Sequence, residues 1–188
     1  WAYFFCGECP SGYSAVGGQT LNPYGRKIHD TGGSSSGSGV AVAANLAPVA
    51  VGSETSGSIL SPSSSNSIVG LKPTIGLLSR GGIVPISSTL DTPGPMTRSV
   101  IDNAILLSAM TGVDSEDPAS STAKQPSNLF KDLKNSTVKG KRFGVIKSLK
   151  SDSLYVRAVA DLQKAGATII EYEVEEIDLP NFLRLLNL

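Results

Sequence analysis

The sequence predicts an α/β fold around a mostly parallel sheet. Three observations carry that expectation. RFGVI (142–146), SLYVRAVADLQKAG (153–166) and ATIIEYEV (167–174) read as strand, helix and strand, because β-branched and aromatic runs flank a segment with Tyr155, Val159 and Leu162 on one helical face. A second helix is announced by Ser99, a capping residue with Asp102 three positions on, and is stopped by Gly112. PVAVGSE (48–54) is a short β-branched run closed by Gly52, and it follows VAVAANLA (40–47), whose small apolar residues suit a buried helix. Strands alternating with helices argue for α/β layers.

The elements follow in order. From Trp1 to Asp30, Pro10, Gly12, the pair Gly17 and Gly18, and NPYG (22–25) predict irregular backbone. Long irregular backbone inside a compact domain is usually functional. GGSSSGSG (32–39) has no apolar side chain and by composition would pass for a flexible linker. The helix over 40–47 ends at Pro48, and the strand over 48–54 comes next. TSGSILSPSSSNS (55–67) is polar and turn-rich; IVGLKPT (68–74) and IGLLSRGGIVPIS (75–87) alternate apolar runs with Gly and Pro, which predicts brief strands and loops. In the helix after Ser99, Ile101, Ile105 and Ala109 recur every fourth residue. Residues 114–137 carry Pro118 and Pro126 and read as a surface connection. The expected organisation is one partial domain over 1–188, with the motifs in 1–113, the connection in 114–137 and the βαβ portion in 138–188.

Charge narrows the function classes. Sixteen basic side chains balance sixteen acidic ones, so no global field draws in nucleic acid or an anionic membrane. Aromatics are only 6 %, too few for base-stacking platforms. No apolar run approaches the roughly 20 residues of a membrane span. WAYFFCGECPSGYS lacks the basic start of a signal peptide, which leaves the cytoplasm as the default compartment. Trp1 at the start and NFLRLLNL (181–188) at the end, an apolar pattern cut short, read as an excerpt of a longer chain, so compartment and oligomeric state stay open. Cys6 and Cys9 form a C-x-x-C pair with His29 the sole histidine, which falls short of the usual four zinc ligands; incidental cysteines or a disulfide are the alternatives.

A serine hydroxyl is a weak nucleophile and needs an adjacent base plus donors aimed at the developing oxyanion. GSSSG (33–37) matches G-x-S-x-G with Ser35 at its centre, but the preceding KIHDTG is polar rather than a hydrophobic strand, and His29 precedes the serine. His29, alone in a polar loop, reads as a solvated side chain. The phosphate-binding patterns G-x-x-x-x-G-K-[ST] and G-x-G-x-x-G are both missing from 32–39, although a helix N-terminus near Val40 could still hold an anion. With histidine so scarce, the base is sought elsewhere, and lysine is the known alternative.

GGSSSGSGVAVAANLAPVAVGSETSGSI (32–59) and GLKPTIGLLSRGGIVPISSTLDTPGPMTRS (70–99), read together, resemble the amidase signature family. Its hallmark is a Gly/Ser-rich segment, a small-residue helix and a second loop of the form G-[ST]-[DE]-T-x-G-S-I. The wording is most similar to the peptide amidase branch, strongly from about Gly17 to Asp114 and more loosely to Val174. The resemblance implies the amidase signature fold, a mixed, largely parallel sheet with helices on both faces, here incomplete. It implies a cofactor- and metal-free hydrolase that splits a linear carboxamide into acid and ammonia, with a small-molecule or peptide amide as substrate.

Carried over by motif, Ser58 is the nucleophile and Ser34 the serine in a cis peptide linkage, their hydroxyls within hydrogen-bonding reach. The backbone N–H groups of Thr55, Ser56 and Gly57, with that of Ser58, correspond to the oxyanion hole. Asp91 and Arg98 are expected to brace loops. The family's lysine lies well upstream of the cis-serine, whereas the lysine before Ser34 here is Lys27, in the wrong motif. The catalytic lysine is therefore expected outside this chain, and the 188-residue piece alone is expected to be inactive. Leu60 stands where many members, among them the glutaminyl-tRNA amidotransferase subunits, carry arginine, and Ser56 where glycine is frequent. Two other readings are kept: a non-catalytic binding or scaffold protein with this fold, and an amidotransferase A-type subunit.

Overall fold

The computed structural model describes residues 11–122, 129–133 and 135–174. Cys6, Cys9, Pro126 and the NFLRLLNL segment lie outside the described residues. The chain divides into two compact units, Trp1–Asn135 and Ser136–Leu188.

The first unit opens with a minimal antiparallel pair, β1 (Tyr13–Ser14) and β2 (Gly18–Gln19), within irregular backbone. Helix α1 then spans Ser36–Ala43, so it starts inside the Gly/Ser stretch and not after it. The reason is packing: a Cβ on Gly39 would stand 3.3 Å from both Pro62 and Asn66, so the bare backbone lets α1 approach the later helix α2 (Leu60–Ser65). Asn45, with φ 61°, follows the helix end at the C-terminal side.

Strand β3 (Val49–Glu54) pairs with β5 (Thr92–Thr97), which also pairs with the two-residue β4 (Val69–Gly70), giving the order β3-β5-β4 with both pairs antiparallel. The central strand therefore reads TPGPMT, a segment with two prolines that pattern reasoning leaves as loop. Register resolves the conflict. Pro93 and Pro95 sit two apart, so both present their main-chain polar edge to the same side, and Leu71 N–H donating to Pro95 O shows that this side faces away from β3. On that side β4 reaches only Thr97 and Met96, so no ladder bond is asked of a proline nitrogen.

Helix α3 (Val100–Met110) is capped as expected: Ser99 Oγ accepts from Asp102 N–H and donates to Asp102 Oδ2 at 2.7 Å. The expected apolar stripe is not the buried one. Ile101 and Ile105 are exposed, while Asn103, Ala104 and Leu107 face inward. Asn103 offsets its burial by donating to Val69 O and Pro95 O, tying α3 to two strands. The core of this unit contains Val42, Ile59, Leu78, Met96, Ala104 and Leu107. Two short helices, α4 (Pro118–Thr122) and α5 (Leu129–Leu133), interrupt the expected surface connection, and Asp117 and Ser120 within it are buried.

The second unit is the βαβ motif that the sequence predicts. Parallel strands β6 (Arg142–Ile146) and β7 (Thr168–Tyr172) flank α6 (Ser153–Lys164), capped by Asp152. Tyr155, Val159 and Leu162 are its half-buried face, and Tyr155 OH accepts from Ile146 N–H at 2.9 Å. Parallel pairing among the described residues is confined to this unit; β1–β2 and the three-stranded sheet are purely antiparallel. No helix among the described residues is long and apolar enough to cross a membrane.

Candidate active site

Two loops meet beside the end of β3. The first, 55–59, links β3 to α2 and is built from small polar residues that let the chain turn sharply. Its far end is pinned by Ile59, fully buried, and by Glu54, whose Oε2 accepts the N–H groups of Ile59 (2.7 Å) and Leu60 (2.9 Å). A buried carboxylate thus performs the capping task that no local side chain serves at the start of α2. Nothing in the described residues accepts the N–H groups of Ser56, Gly57 or Ser58.

The second loop is the start of the Gly/Ser stretch, and side chains from both flanks hold its backbone. Asn22 donates to Asp30 O and Ser65 O, Asn66 donates to Thr31 O and Pro62 O, and Asp30 Oδ1 accepts Gly32 N–H. Each such bond contributes about 1 kcal/mol net. Gly32 adopts φ +62°, and a Cβ there would lie 2.7 Å from Pro62 N. The peptide bond Gly33–Ser34 is cis. Ser35 then joins the two loops: its N–H donates to Ser58 O at 3.0 Å, while its hydroxyl donates to Ser53 O and accepts Ser53 N–H. That engagement makes Ser35 a brace and removes it as the nucleophile of a G-x-S-x-G elbow.

Ser34, Thr55 and Ser58 line one cavity, together with Ser53, Glu54, Arg80, Asp91 and Thr92 and the aliphatic side chains of Ile83, Val84 and Ile86. Ser58 is 5 % exposed. Ser56, exposed, and Gly57, half-buried, lie on the turn between Thr55 and Ser58 without lining the cavity. The two hydroxyls share the cavity without a hydrogen bond between them, and each turns about its own χ1, so rotamer as well as backbone decides that contact.

Charge around the cavity is paired. Asp91 Oδ1 accepts from Thr55 Oγ1 at 2.5 Å and its Oδ2 accepts from Ile86 and Ser87 N–H, which is the bracing role expected of it. Arg98 donates to Asn45 Oδ1, bracing the exit of α1. Arg80 forms a two-point pair with buried Asp117, through Nη2 at 2.8 Å and Nε at 3.0 Å. Those hydrogen bonds hold the Asp117 carboxyl well below the usual carboxylate range against the opposing effect of burial, and they raise the Arg80 guanidinium. Sequence reasoning missed Glu54, Lys72 and Arg80; the signal was a charged residue standing alone in each of three otherwise apolar or Gly/Pro-rich stretches, VGSET, GLKPT and LLSRGG. His29 is exposed, and Lys27 lies on the same exposed segment. No cluster of metal-ligating side chains is found among the described residues.

A strand, a sharp turn with uncommitted N–H groups and a buried serine that shares a cavity with a second, cis-linked serine make up the candidate site on an α/β scaffold. The family model Amidase matches residues 6–186, and the chain belongs to that family. A probable amidase of Arabidopsis thaliana is 44 % identical over 96 % of this chain and 35 % of its own length. The A-type subunit of the glutamyl-tRNA(Gln) amidotransferase of Staphylococcus saprophyticus is 42 % identical over 89 % of this chain and 36 % of its own. Among solved structures, native peptide amidase from Stenotrophomonas maltophilia superimposes with a TM-score of 0.84 at 48 % identity, covering 92 % of this chain and 37 % of that one. The chain spans about a third of the length of these relatives.

Proposed function

We propose that the protein hydrolyses a linear carboxamide to a carboxylic acid and ammonia through an acyl-enzyme on Ser58, with a peptide C-terminal amide as the favoured substrate class. The observation that carries the reading is the shared cavity of Ser58 and the cis-linked Ser34 beside a turn whose N–H groups are uncommitted. Family membership and the likeness to a peptide amidase support it.

In this mechanism Ser58 Oγ attacks the carbonyl carbon while its proton passes to Ser34 Oγ, which hands its own proton to a lysine base. The carbonyl oxygen becomes an oxyanion and accepts from the loop N–H groups of Thr55, Ser56, Gly57 and Ser58. Collapse breaks the C–N bond as the nitrogen takes a proton back through Ser34, and ammonia leaves. Water attacks the Ser58 ester, and its second proton restores the Ser58 hydroxyl. The resemblance puts the base upstream of the cis-serine, where this chain carries the exposed Lys27 alone, and Lys72 is committed to Thr55 O and Glu54, so the base is assigned to a lysine outside this chain. No cofactor enters the scheme.

The complete gene product, given C-terminally amidated peptides, should release ammonia and form a hydroxylamine-trappable acyl-enzyme, and Ser58→Ala should do neither. Undiminished ammonia release by that variant would defeat the reading. Binding of amides without turnover would favour a non-catalytic scaffold, and ammonia release from glutamine alone would favour an amidotransferase component, which Leu60 in place of arginine argues against.

A further inference from the structure

Lys72 has no part in the scheme above, yet it touches the proposed oxyanion loop more directly than any other cation among the described residues. It follows β4 and precedes Pro73, a position that restricts its backbone to extended conformations. Its side chain is 26 % exposed, and Nζ donates to the carbonyl oxygen of Thr55 at 2.5 Å, with Glu54 Oε1 3.9 Å away. Glu54 in turn grips the other end of the loop through Ile59 and Leu60 N–H.

The Thr55 carbonyl shares one planar unit with the N–H of Ser56. That peptide is trans, the cis bond of the described residues being Gly33–Ser34, so its C=O and N–H point in opposite directions. Anchoring the oxygen therefore fixes the hydrogen. An ammonium on the carbonyl also polarises the amide and strengthens its N–H as a donor.

We propose that Lys72 is a positioning residue for the oxyanion loop: by holding the Thr55 carbonyl, it keeps the Ser56 N–H on the opposite edge of the same peptide plane turned toward the acyl oxygen. The proposal rests on the hydrolase reading. Its rival is a structural role alone, in which Lys72 only balances the buried charge of Glu54. The two differ in what they do to the transition state, since a counter-charge stabilises the fold whatever is bound, whereas an aimed donor acts where negative charge develops.

The test compares wild-type complete gene product with Lys72→Met and Lys72→Arg, using N-acetyl-leucine amide for turnover. N-acetyl-leucinal, which forms an oxyanion adduct, and N-acetyl-leucinol, which does not, serve as inhibitors. Lys72→Met should lower kcat about 10²-fold with KM changed less than about 3-fold, and weaken the aldehyde by the same factor while sparing the alcohol. Lys72→Arg, which can still donate to the carbonyl, should recover most of the loss. Should Lys72→Met fail to melt cooperatively, Lys72→Gln replaces it, with an expected drop of about 10-fold in the ratio of aldehyde to alcohol affinity. A wild-type ratio in the folded variant, or equal losses for aldehyde and alcohol, overturns the proposal and leaves the hydrolase reading standing. A wild-type protein that neither turns over amides nor is labelled at Ser58 overturns both.

Discussion

Ser35 donates its backbone N–H to the carbonyl of Ser58 at 3.0 Å, and this bond joins the two loops that the proposed chemistry needs side by side. Because the Ser35 hydroxyl also holds both polar groups of Ser53, one residue fixes the cis-linked loop against the end of β3. Ser34, immediately before it, is left free to face the cavity.

Ser34 and Ser35 should therefore separate by function. In the complete gene product Ser34→Ala should reduce kcat by about 10² to 10⁴-fold, the range of general acid–base catalysis, with little change in melting temperature. Ser35→Ala should instead lower stability by about 1 to 2 kcal/mol through its lost bonds to Ser53. Calorimetry beside steady-state kinetics distinguishes the two patterns; the opposite assignment would show that Ser35 is the reacting residue.

Glu54 should be worth more to the fold than its surface neighbours. Glu54→Leu removes the acceptor of one buried and one part-buried N–H group and the partner of Lys72, and urea unfolding should show a loss of about 3 kcal/mol. A loss under about 0.5 kcal/mol, the usual surface value, would mean that the loop does not depend on this cap.

The pair of Arg80 and Asp117 makes stability depend on pH in one direction. Asp117 has a depressed carboxyl in the folded chain, so its contribution is complete above the unfolded value near about 4 and is lost as pH falls through the folded value. Asp117→Asn should cost about 3 kcal/mol at pH 7, and its stability should approach that of wild type as the pH drops below about 4. Urea unfolding from pH 7 to 3 checks this; a difference constant across that range would mean that the carboxylate is not stabilised by Arg80.

The 188 residues expressed by themselves should release no ammonia from amidated peptides, since the proposed scheme draws its base from a lysine outside this chain. Turnover by this chain alone would place the proton acceptor inside it.

The legible parts of the sequence were those in which one local rule decides the outcome. Ser99 with Asp102, and the helical face of Tyr155, Val159 and Leu162, were correctly read because capping and periodicity act within a few residues. A long motif, rather than any single hydroxyl, singled out Ser34 and Ser58, which the structure places on one cavity. Hidden were features set by distant partners: TPGPMT as a central strand, which depends on how short β4 is, and α2, whose start is capped by Glu54 from the preceding strand. The same holds for Ile101 and Ile105, whose spacing forms a helix without saying which face the sheet will cover.

The most direct test of the central claim is the site of covalent capture. A fluorophosphonate probe incubated with the complete gene product, followed by peptide mapping, should place a single adduct on Ser58, absent in Ser58→Ala and slowed in Ser34→Ala. An adduct on Ser35 or Ser56, or none on a protein that still hydrolyses amides, would contradict it.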